Sequence, residues 1–225
     1  MFVPVPPEAQ IGDVIELPRE EVDKLRKVLR LGAGALIVLL AGDGRVFRAT
    51  FTGQDAELTG TEKVETEAAK KVTLAQSLPK PDKLDEVIRM GTEMGVFRFV
   101  LFPSERSVVK WDKAKVEDRL RRLRAIAREA AEVSFRTRIP EISLIGSLAE
   151  LLQGTPDSLV LSEFENVGSH LRDQVSANDP TIVIGPEGGW APREVALIGD
   201  RAVTLGPRVL RVDTAAAAAI ALAVL

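Results

Sequence analysis

The sequence of 225 residues contains no cysteine and only one histidine, His170. The lack of cysteine excludes a disulfide framework, a thiolate metal site and a cysteine nucleophile, and it favours a cytosolic protein. One histidine excludes a histidine-rich metal site, and a serine–histidine–aspartate triad would have to use His170. Because no catalytic motif surrounds that residue, we expect it to lie at the surface or in a loop, and we expect no bound metal.

Long apolar runs are absent as well. The longest covers residues 215–225, which is about half of the roughly 20 residues that cross a bilayer as a helix. We therefore expect a buried C-terminal helix and no membrane partner. Residues 1–8 lack the basic and apolar regions of a signal peptide. Together with the missing cysteines, these absences predict a cytoplasmic protein.

Two glycine-rich phosphate-binding motifs are also missing. Gly32-Ala33-Gly34 lacks the third glycine of a dinucleotide fingerprint, and no glycine precedes a lysine as it would in a Walker A loop. An ordinary dinucleotide-dependent dehydrogenase and a P-loop kinase therefore do not fit. The net charge of −3 argues against indiscriminate binding of polyanions. Any nucleic-acid site must then be a local basic surface.

Hydrophobic patterning divides the chain into two predicted domains, residues 1–70 and 71–225, with the boundary in the charged segment 62–71. The first domain has short strands around one helix within 18–31, which predicts a small, mostly antiparallel barrel or sheet. Its strands are predicted at 13–17, 35–40 and 45–51. The second domain alternates strands and helices, which is typical of an α/β fold with a mostly parallel sheet. Its strands are predicted at 72–76, 97–102, 159–161, 181–184 and 202–205, and its helices at 82–94, 111–133 and 215–225.

The strongest chemical signal is the segment 184–190, Ile-Gly-Pro-Glu-Gly-Gly-Trp, in which a buried strand ends in a turn. Open α/β sheets bind ligands beyond the carboxyl ends of their strands. Glycines at that place let the backbone approach a ligand without a Cβ in the way. Considered by itself, this segment fits a tight turn without a ligand as well as it fits a ligand-binding turn.

A second strand ends in Gly206-Pro207 and is followed by Arg208, Arg211, Asp213 and Thr214 before an alanine-rich helix. Asp213 or Thr214 can cap that helix, and free backbone donors at its start can bind an anionic or polar ligand group. The alternatives are capping alone for Asp213 and Thr214, and a solvated surface pair for the two arginines.

Basic residues concentrate in 104–138, where eleven Lys and Arg face six acidic residues and leave a local charge of +5. Such a surface can neutralise phosphates. We interpret the arginines of the long helix, within 119–128, as a solvated face. Loop arginines are predicted to bind RNA, and a basic cluster on the N-terminal helix fits RNA binding and simple solvation equally well. The residues concerned are Arg106, Arg136 and Arg138 in the loops and Lys24, Arg26, Lys27 and Arg30 on the helix.

In their order and spacing, several segments resemble the bacterial small-subunit ribosomal RNA uridine N3-methyltransferases of the SPOUT class, and the resemblance covers nearly the whole chain. The segments are Val28-Leu29-Arg30, residues 83–95 ending in Glu93-Met94-Gly95, Ser104-Glu105-Arg106-Ser107, Glu129-Ala130-Ala131-Glu132 with Arg136-Thr137-Arg138-Ile139-Pro140, Gly185-Pro186-Glu187-Gly188-Gly189 and Leu205-Gly206-Pro207-Arg208-Val209-Leu210-Arg211.

The resemblance implies a PUA-like β-barrel for RNA in residues 1–70 and an α/β domain with a trefoil knot that binds S-adenosylmethionine (AdoMet) in 71–225. It also implies a cytosolic homodimer packed through the knot region. The expected product is N3-methyluridine in the decoding region of 16S ribosomal RNA, with free RNA or the assembled small subunit as substrate. Since the methyl group of AdoMet is already electrophilic, no metal is expected.

From this resemblance we expect three loops to hold AdoMet. The cofactor-binding residues would be Leu161, Ser162, Ile184, Gly185, Pro186, Glu187, Gly188, Gly189, Leu205, Gly206, Val209, Leu210, Thr214 and Ala215. Arg211 would stabilise the uracil anion, with Arg208 as a phosphate or carbonyl partner. Asp213 or Glu163 would orient the arginine or accept the proton.

The sequence departs from the family pattern at two places. Asp213 stands where members usually have a glutamate, and no histidine precedes Val28-Leu29-Arg30. Three alternatives stay open: a SPOUT enzyme that acts on transfer RNA or another ribosomal site, a non-catalytic RNA-binding assembly protein, and another nucleotide-dependent α/β enzyme. The missing phosphate loops disfavour the last of these.

Overall fold

The computed structural model describes residues 1–163, 169–175 and 179–224. Its contacts group the chain into two compact units. The first unit comprises Met1–Glu67 and Ala131–Ile139, and the second comprises Ala68–Ala130 and Pro140–Leu225. The chain therefore leaves the second unit after Ala130 and returns to it at Pro140. Because the first unit consists of two separate segments, a single boundary in the sequence does not describe this division.

The first unit is built on a four-stranded antiparallel sheet in the order β1-β4-β3-β2. The strands are β1 (Val14–Glu16), β2 (Leu36–Leu40), β3 (Val46–Phe51) and β4 (Asp55–Glu62). Alternating residues such as Leu39, Phe47 and Leu58 form its buried core. The antiparallel sheet confirms the sequence prediction and fits the PUA-like barrel, although β4 was not predicted because few of its residues are large and apolar.

The predicted N-terminal helix is present as α1 (Arg19–Asp23), which continues into a wider π-helical turn over Lys24–Val28. Leu25 is buried as expected, but Val28 and Leu29 are 72% and 54% exposed. The wider turn is the reason, since the amide of Leu29 donates to the carbonyl of Lys24 five residues back. This shift rotates both side chains out of the apolar face that an α-helical spacing predicted.

The second unit contains a six-stranded sheet in the order β10-β8-β9-β5-β6-β7, in which every pairing is parallel. The strands are β5 (Thr73–Ser77), β6 (Arg98–Phe102), β7 (Glu141–Leu144), β8 (Leu159–Leu161), β9 (Thr181–Ile184) and β10 (Ala202–Val203). All five residues of β5 are buried, as expected for a central strand of a covered parallel sheet. The predicted parallel α/β unit is confirmed.

In the described residues, an α-helix follows each of these strands, and the last helix comes after β10. The helices are α2 (Pro81–Glu93), α3 (Val116–Val133), α4 (Leu148–Gly154), α5 (Leu171–Gln174), α6 (Pro192–Ile198) and α7 (Val212–Val224). Helix α2 packs closely at Gly91, where a Cβ would lie 2.9 Å from the ring of Phe99 and 3.3 Å from Ile220 of α7. In the described part of the chain, no helix is both long and apolar enough to cross a membrane.

Helix α7 begins at Val212, three residues before the predicted start, while its predicted last residue, Leu225, lies outside the described residues. Asp213 and Thr214 therefore lie within its first turn, and the prediction that one of them caps the helix is wrong. The backbone carbonyl of Arg211 instead accepts from the amide of Ala215 at 2.7 Å. Asp213 is therefore the second residue of α7.

Candidate active site

A cavity of about 1130 Å³ lies in the second unit, where the loops after β8, β9 and β10 meet. These loops converge because β10, β8 and β9 are neighbours in one parallel sheet, so their carboxyl ends share an edge. Ligand pockets typically measure about 300–1,000 Å³. The cavity is therefore large enough for a nucleotide-sized ligand.

Most of the residues predicted to bind a cofactor line this cavity. They are Leu161, Ser162, Ile184, Gly185, Pro186, Glu187, Gly189, Leu205, Gly206, Val209, Leu210 and Ala215. The four residues predicted to act in catalysis, Glu163, Arg208, Arg211 and Asp213, line it as well. Gly188 and Thr214 do not. A Cβ on Gly188 would meet Arg106 at 3.2 Å rather than the cavity, and Thr214 is exposed.

Trp190, which was not among the predicted cofactor-binding residues, holds two of the loops together. Its indole Nε1 donates to the carbonyl of Leu161 at 2.8 Å, which ties the loop after β9 to the end of β8. The ring is buried, stacks on Phe102 and would lie 2.9 Å from a Cβ on Gly185. Gly185 is therefore needed for the close approach of Trp190, which explains one glycine of the turn without a ligand.

Lys83 joins the site from the first turn of α2. Its ammonium lies 2.8 Å from Oδ2 of Asp213 and 3.3 Å from Oε2 of Glu86. Oδ1 of Asp213 is 4.0 Å from Nε of Arg211. The hydrogen bond from Lys83 lowers the pKa of Asp213, and the same bond raises the pKa of Lys83. No local feature of the sequence indicates this pair, since 130 residues separate its members.

The loop after β6 carries Arg106 to the edge of the cavity. The guanidinium of Arg106 donates to the carbonyl of Gly188 at 3.2 Å. Glu194, which is only 4% exposed, fixes this loop by accepting from the amide of Glu105 at 3.0 Å and from the hydroxyl of Ser104 at 3.3 Å. On the opposite flank of the glycine turn, Oε1 of Glu187 accepts from the amide of Lys80 at 3.1 Å.

His170 is half-buried and lines the cavity just before α5, where it forms a single β-bridge with Thr204. The expected loop position is correct, but the loop faces the site. In the described residues, no group of three or more histidine and acidic side chains is arranged to hold a metal ion.

The residues predicted to bind RNA divide between exposed and engaged side chains. Arg26, Arg30, Arg106 and Arg138 are exposed. Lys24 pairs with Glu132 at 2.9 Å, and Lys27 pairs with Asp23 at 3.0 Å, both with exposed ammonium groups. The prediction is wrong for Arg136, which is 2% exposed and whose guanidinium bonds Glu67 at 2.7 Å. A side chain that is buried in this way is not accessible to an RNA phosphate.

Several arginines of α3 are engaged locally. Arg121 pairs with Asp118, Arg122 with Asp85 and Arg124 with Glu117, and Arg119 lies 5.3 Å above the ring of Trp111. Their interpretation as a solvated face agrees with these contacts.

Residues 66–224 match the family model of the RNA methyltransferase domain. The chain is 33% identical over 214 residues to the ribosomal RNA small subunit methyltransferase E of Bacillus subtilis (strain 168), covering 87% of this chain and 84% of that protein. A crystal structure of a ribosomal RNA small subunit methyltransferase E from Neisseria gonorrhoeae, bound to S-adenosyl methionine, gives a TM-score of 0.86 at 30% identity over 98% of this chain and 94% of that one. A methyltransferase of Legionella pneumophila in complex with the same cofactor gives 0.86 at 29% identity with the same coverage. These two structures confirm the predicted fold class.

Proposed function

The chain belongs to the RNA methyltransferase family and has a SPOUT-type fold, and from that premise we propose that it methylates N3 of one uridine in 16S ribosomal RNA, in the decoding region, with AdoMet as the methyl donor. The cavity between the loops after β8, β9 and β10 would hold the cofactor, and the free RNA or the assembled small subunit would be the substrate. The names of the relatives support ribosomal RNA of the small subunit. Such an enzyme would work in the cytoplasm, as the sequence composition suggests.

The residues of the cavity fit AdoMet. An apolar wall that includes Trp190, Ile184 and Leu205 suits the flat adenine ring, and the loop glycines leave backbone groups open to its polar edge. The cofactor also carries a carboxylate and cationic groups, and the cavity offers both signs of charge at its edge. When bound, AdoMet supplies an electrophilic methyl group, so the protein needs to supply only placement and proton removal.

Arg211 is placed to stabilise the charge that develops on uracil. Removal of the N3 proton spreads negative charge over the two ring carbonyl oxygens, and a guanidinium is a suitable donor to such oxygens. The side chain of Arg211 is 77% exposed, and its one ion pair with the residues that the structure describes is the 4.0 Å approach to Asp213. Its donors are thus free to meet the substrate. Arg208 would bind a phosphate or carbonyl, and Asp213 or Glu163 would accept the proton.

Recognition of the RNA would depend on shape, phosphates and a base turned out of its stack, because side chains cannot easily read the deep major groove of an RNA helix. In the second unit, Arg106 is an exposed cation at the edge of the cavity. In the first unit, Arg26, Arg30 and Arg138 are exposed, and Lys24 and Lys27 keep part of their surface. Each unit therefore has its own cations for phosphate contacts.

The homodimer through the knot region is part of the proposal. Apart from Asp213 and Thr214, α7 contains only alanine and other apolar residues. A helix that is apolar on every side is normally buried, yet Ala217, Ala218 and Ala221 are only half-buried and Leu222 is 44% exposed. A second copy that covers this face would remove it from water. Analytical ultracentrifugation should then show a dimer that Leu222→Glu weakens.

Cofactor binding is tested by calorimetric titration with AdoMet. Ala215 lines the cavity from the first turn of α7, so Ala215→Phe should fill part of the space and lower the affinity by at least about tenfold. Thr214→Phe adds a ring one residue away at a position outside the lining and serves as the matched control. Equal affinities of the two variants would contradict this placement. No binding by the unaltered protein would favour the non-catalytic RNA-binding alternative.

The convergence of the three loops on one cavity is the observation that carries this proposal. Fold alone would not license a reaction, but here the loops bring Arg208, Arg211, Asp213 and Glu163 to one cavity in the second unit. Activity on a transfer RNA or on another ribosomal site would use the same cavity, and only the identity of the methylated nucleoside separates those alternatives.

A further inference from the structure

Lys83 is a cation of the cavity that two carboxylates hold. Its side chain is 20% exposed, and its ammonium contacts Asp213 at 2.8 Å and Glu86 at 3.3 Å. Asp82 also lines the cavity from the same turn of α2. A charge pair inside a site can serve stability or chemistry, and the surroundings of Asp213 separate the two.

The carboxylate of Asp213 lies between two cations but binds only one closely. Oδ2 faces Lys83 at 2.8 Å, whereas Oδ1 is 4.0 Å from Nε of Arg211, beyond hydrogen-bond range. The closer bond to Lys83 therefore decides where the carboxylate lies. Arg211 is left near the negative charge, which orients it, but is not bound by it.

We infer that Lys83 is a positioning residue for methyl transfer. It holds the carboxylate of Asp213 away from Arg211, so that the positive charge of Arg211 stays available to stabilise the uracil anion. This inference rests on the proposed function. It also removes Asp213 as the proton acceptor, because a carboxylate already bonded to an ammonium is a poor base. Of the two carboxylates considered for that role, Glu163 remains.

Loss of Lys83 should change the chemistry in a defined direction. Without its ammonium, Asp213 can turn toward Arg211 and form a direct ion pair, since the present gap is only 4.0 Å. In that pair the carboxylate of Asp213 would offset the positive charge of Arg211. The N3 proton of bound uridine would then be harder to remove, because the resulting anion is less well stabilised. The resulting defect should be largest at low pH and should shrink as the pH rises, because hydroxide then removes the proton. A loss of packing alone has no such pH dependence.

The test compares turnover of Lys83→Gln, Lys83→Arg and Glu86→Gln with the unaltered protein, at saturating AdoMet and RNA, across the neutral to alkaline range. Lys83→Gln should lose about 30-fold at neutral pH and less at alkaline pH. This loss is smaller than the roughly 10²–10³-fold that follows when a direct donor to an oxyanion is removed, because Lys83 acts through Asp213 and Arg211. Lys83→Arg should keep most of the rate. Glu86→Gln removes the other, 59% exposed partner of Lys83 and should stay within about twofold. The affinity for AdoMet, measured by calorimetry, should change less than about threefold in all three.

A double variant gives the sharpest outcome. If Asp213 neutralises Arg211 once Lys83 is lost, Lys83→Gln/Asp213→Asn should be about tenfold faster than Lys83→Gln alone. Such relief would not follow from a structural role, for which a second substitution adds damage. An active unaltered protein whose Lys83→Gln variant keeps full turnover overturns the inference and leaves the proposed function intact. A pH-independent loss that Asp213→Asn does not relieve overturns it as well. An inactive unaltered protein overturns both.

Discussion

The first and second units each place a cation against a carboxylate at nearly the same distance, but in different surroundings. Arg136 lies 2.7 Å from Glu67 in the first unit, and Lys83 lies 2.8 Å from Asp213 in the second. The side chain of Arg136 is 2% exposed, whereas those of Lys83 and Asp213 are 20% and 23% exposed and line a cavity. Contact distance alone therefore does not separate a structural pair from a functional one.

The Glu67 carboxylate illustrates the structural case. Besides Arg136, it accepts from the amides of Thr137 and Arg138 at 2.8 and 3.0 Å and from the hydroxyl of Thr137 at 3.2 Å. These bonds join the two chain segments of the first unit, Met1–Glu67 and Ala131–Ile139. These contacts of Glu67 all serve that junction. At Asp213, by contrast, Oδ1 lies 4.0 Å from Nε of Arg211, beyond hydrogen-bond range.

The largest expected effect is on turnover. Arg211→Ala should lower the rate of RNA methylation by about 10²–10³-fold, the usual loss when one donor to a developing oxyanion is removed. Its calorimetric affinity for AdoMet should stay within about threefold, because the backbone loops hold the cofactor. Methyl incorporation into RNA measures the first quantity. Full activity in this variant would remove Arg211 from the mechanism.

The next effect is on stability and should be confined to the first unit. Glu67→Ala removes the carboxylate that the buried guanidinium of Arg136 bonds at 2.7 Å, which should cost about 3 kcal/mol of the free energy of unfolding. Hydrogen exchange in peptides of β2 and β3 measures this loss. Glu117→Ala breaks a pair of the same 2.7 Å length whose side chains are 47% and 66% exposed, and it should cost less than about 0.5 kcal/mol. Equal costs would show that burial does not distinguish these pairs.

The same carboxylate gives the stability a definite dependence on pH. Burial by itself would raise the pKa of Glu67, but the hydrogen bond and charge of Arg136, with the amides of Thr137 and Arg138, lower it below the ordinary value of 4.5. A carboxyl whose pKa is lowered on folding stabilises the protein above its unfolded pKa and loses that contribution as the pH falls through its folded pKa.

Acidification below about pH 4.5 should therefore weaken the unaltered first unit more steeply than a Glu67→Gln variant. Part of the slope should persist in the variant, because the pKa of Glu132 is lowered in the same unit by its contacts with Lys24 and the amide of Phe2, against the effect of burial. Urea denaturation at stepped pH measures both slopes. Parallel curves would contradict the assignment to Glu67.

The smallest expected effect concerns RNA affinity. Arg106→Ala removes an exposed cation at the cavity and should weaken RNA binding by roughly tenfold while lowering the salt slope by about one. Arg121 is also exposed, at 72% of its side chain, but it is paired with Asp118 on the solvated face of α3. Arg121→Ala should change the affinity less than about twofold. Fluorescence anisotropy with a labelled RNA at several salt concentrations compares them, and equal losses would point to non-specific attraction.

The sequence predicts the main strands and the ligand-binding edge because both depend on local patterns. Alternation marks β3, and Gly185 follows a buried strand that ends at the edge where the cavity lies. Local patterns do not show whether a charged side chain is buried or paired when its partner is far away in the sequence. The pattern around Arg136 predicts a loop cation because its partner, Glu67, is 69 residues away, and no local pattern predicts a role for Lys83 because Asp213 is 130 residues away. Local charge patterns thus located basic segments without showing which cations are engaged.

Nucleoside mapping tests the central claim most directly. Small ribosomal subunits from a strain that lacks this protein would be incubated with the purified protein and isotope-labelled AdoMet, and the RNA would then be digested and its nucleosides separated by mass spectrometry. The account predicts labelled N3-methyluridine at one position of 16S ribosomal RNA, absent when Arg211→Ala replaces the unaltered protein. Label in any other nucleoside, or an equal yield from Arg211→Ala, would contradict it.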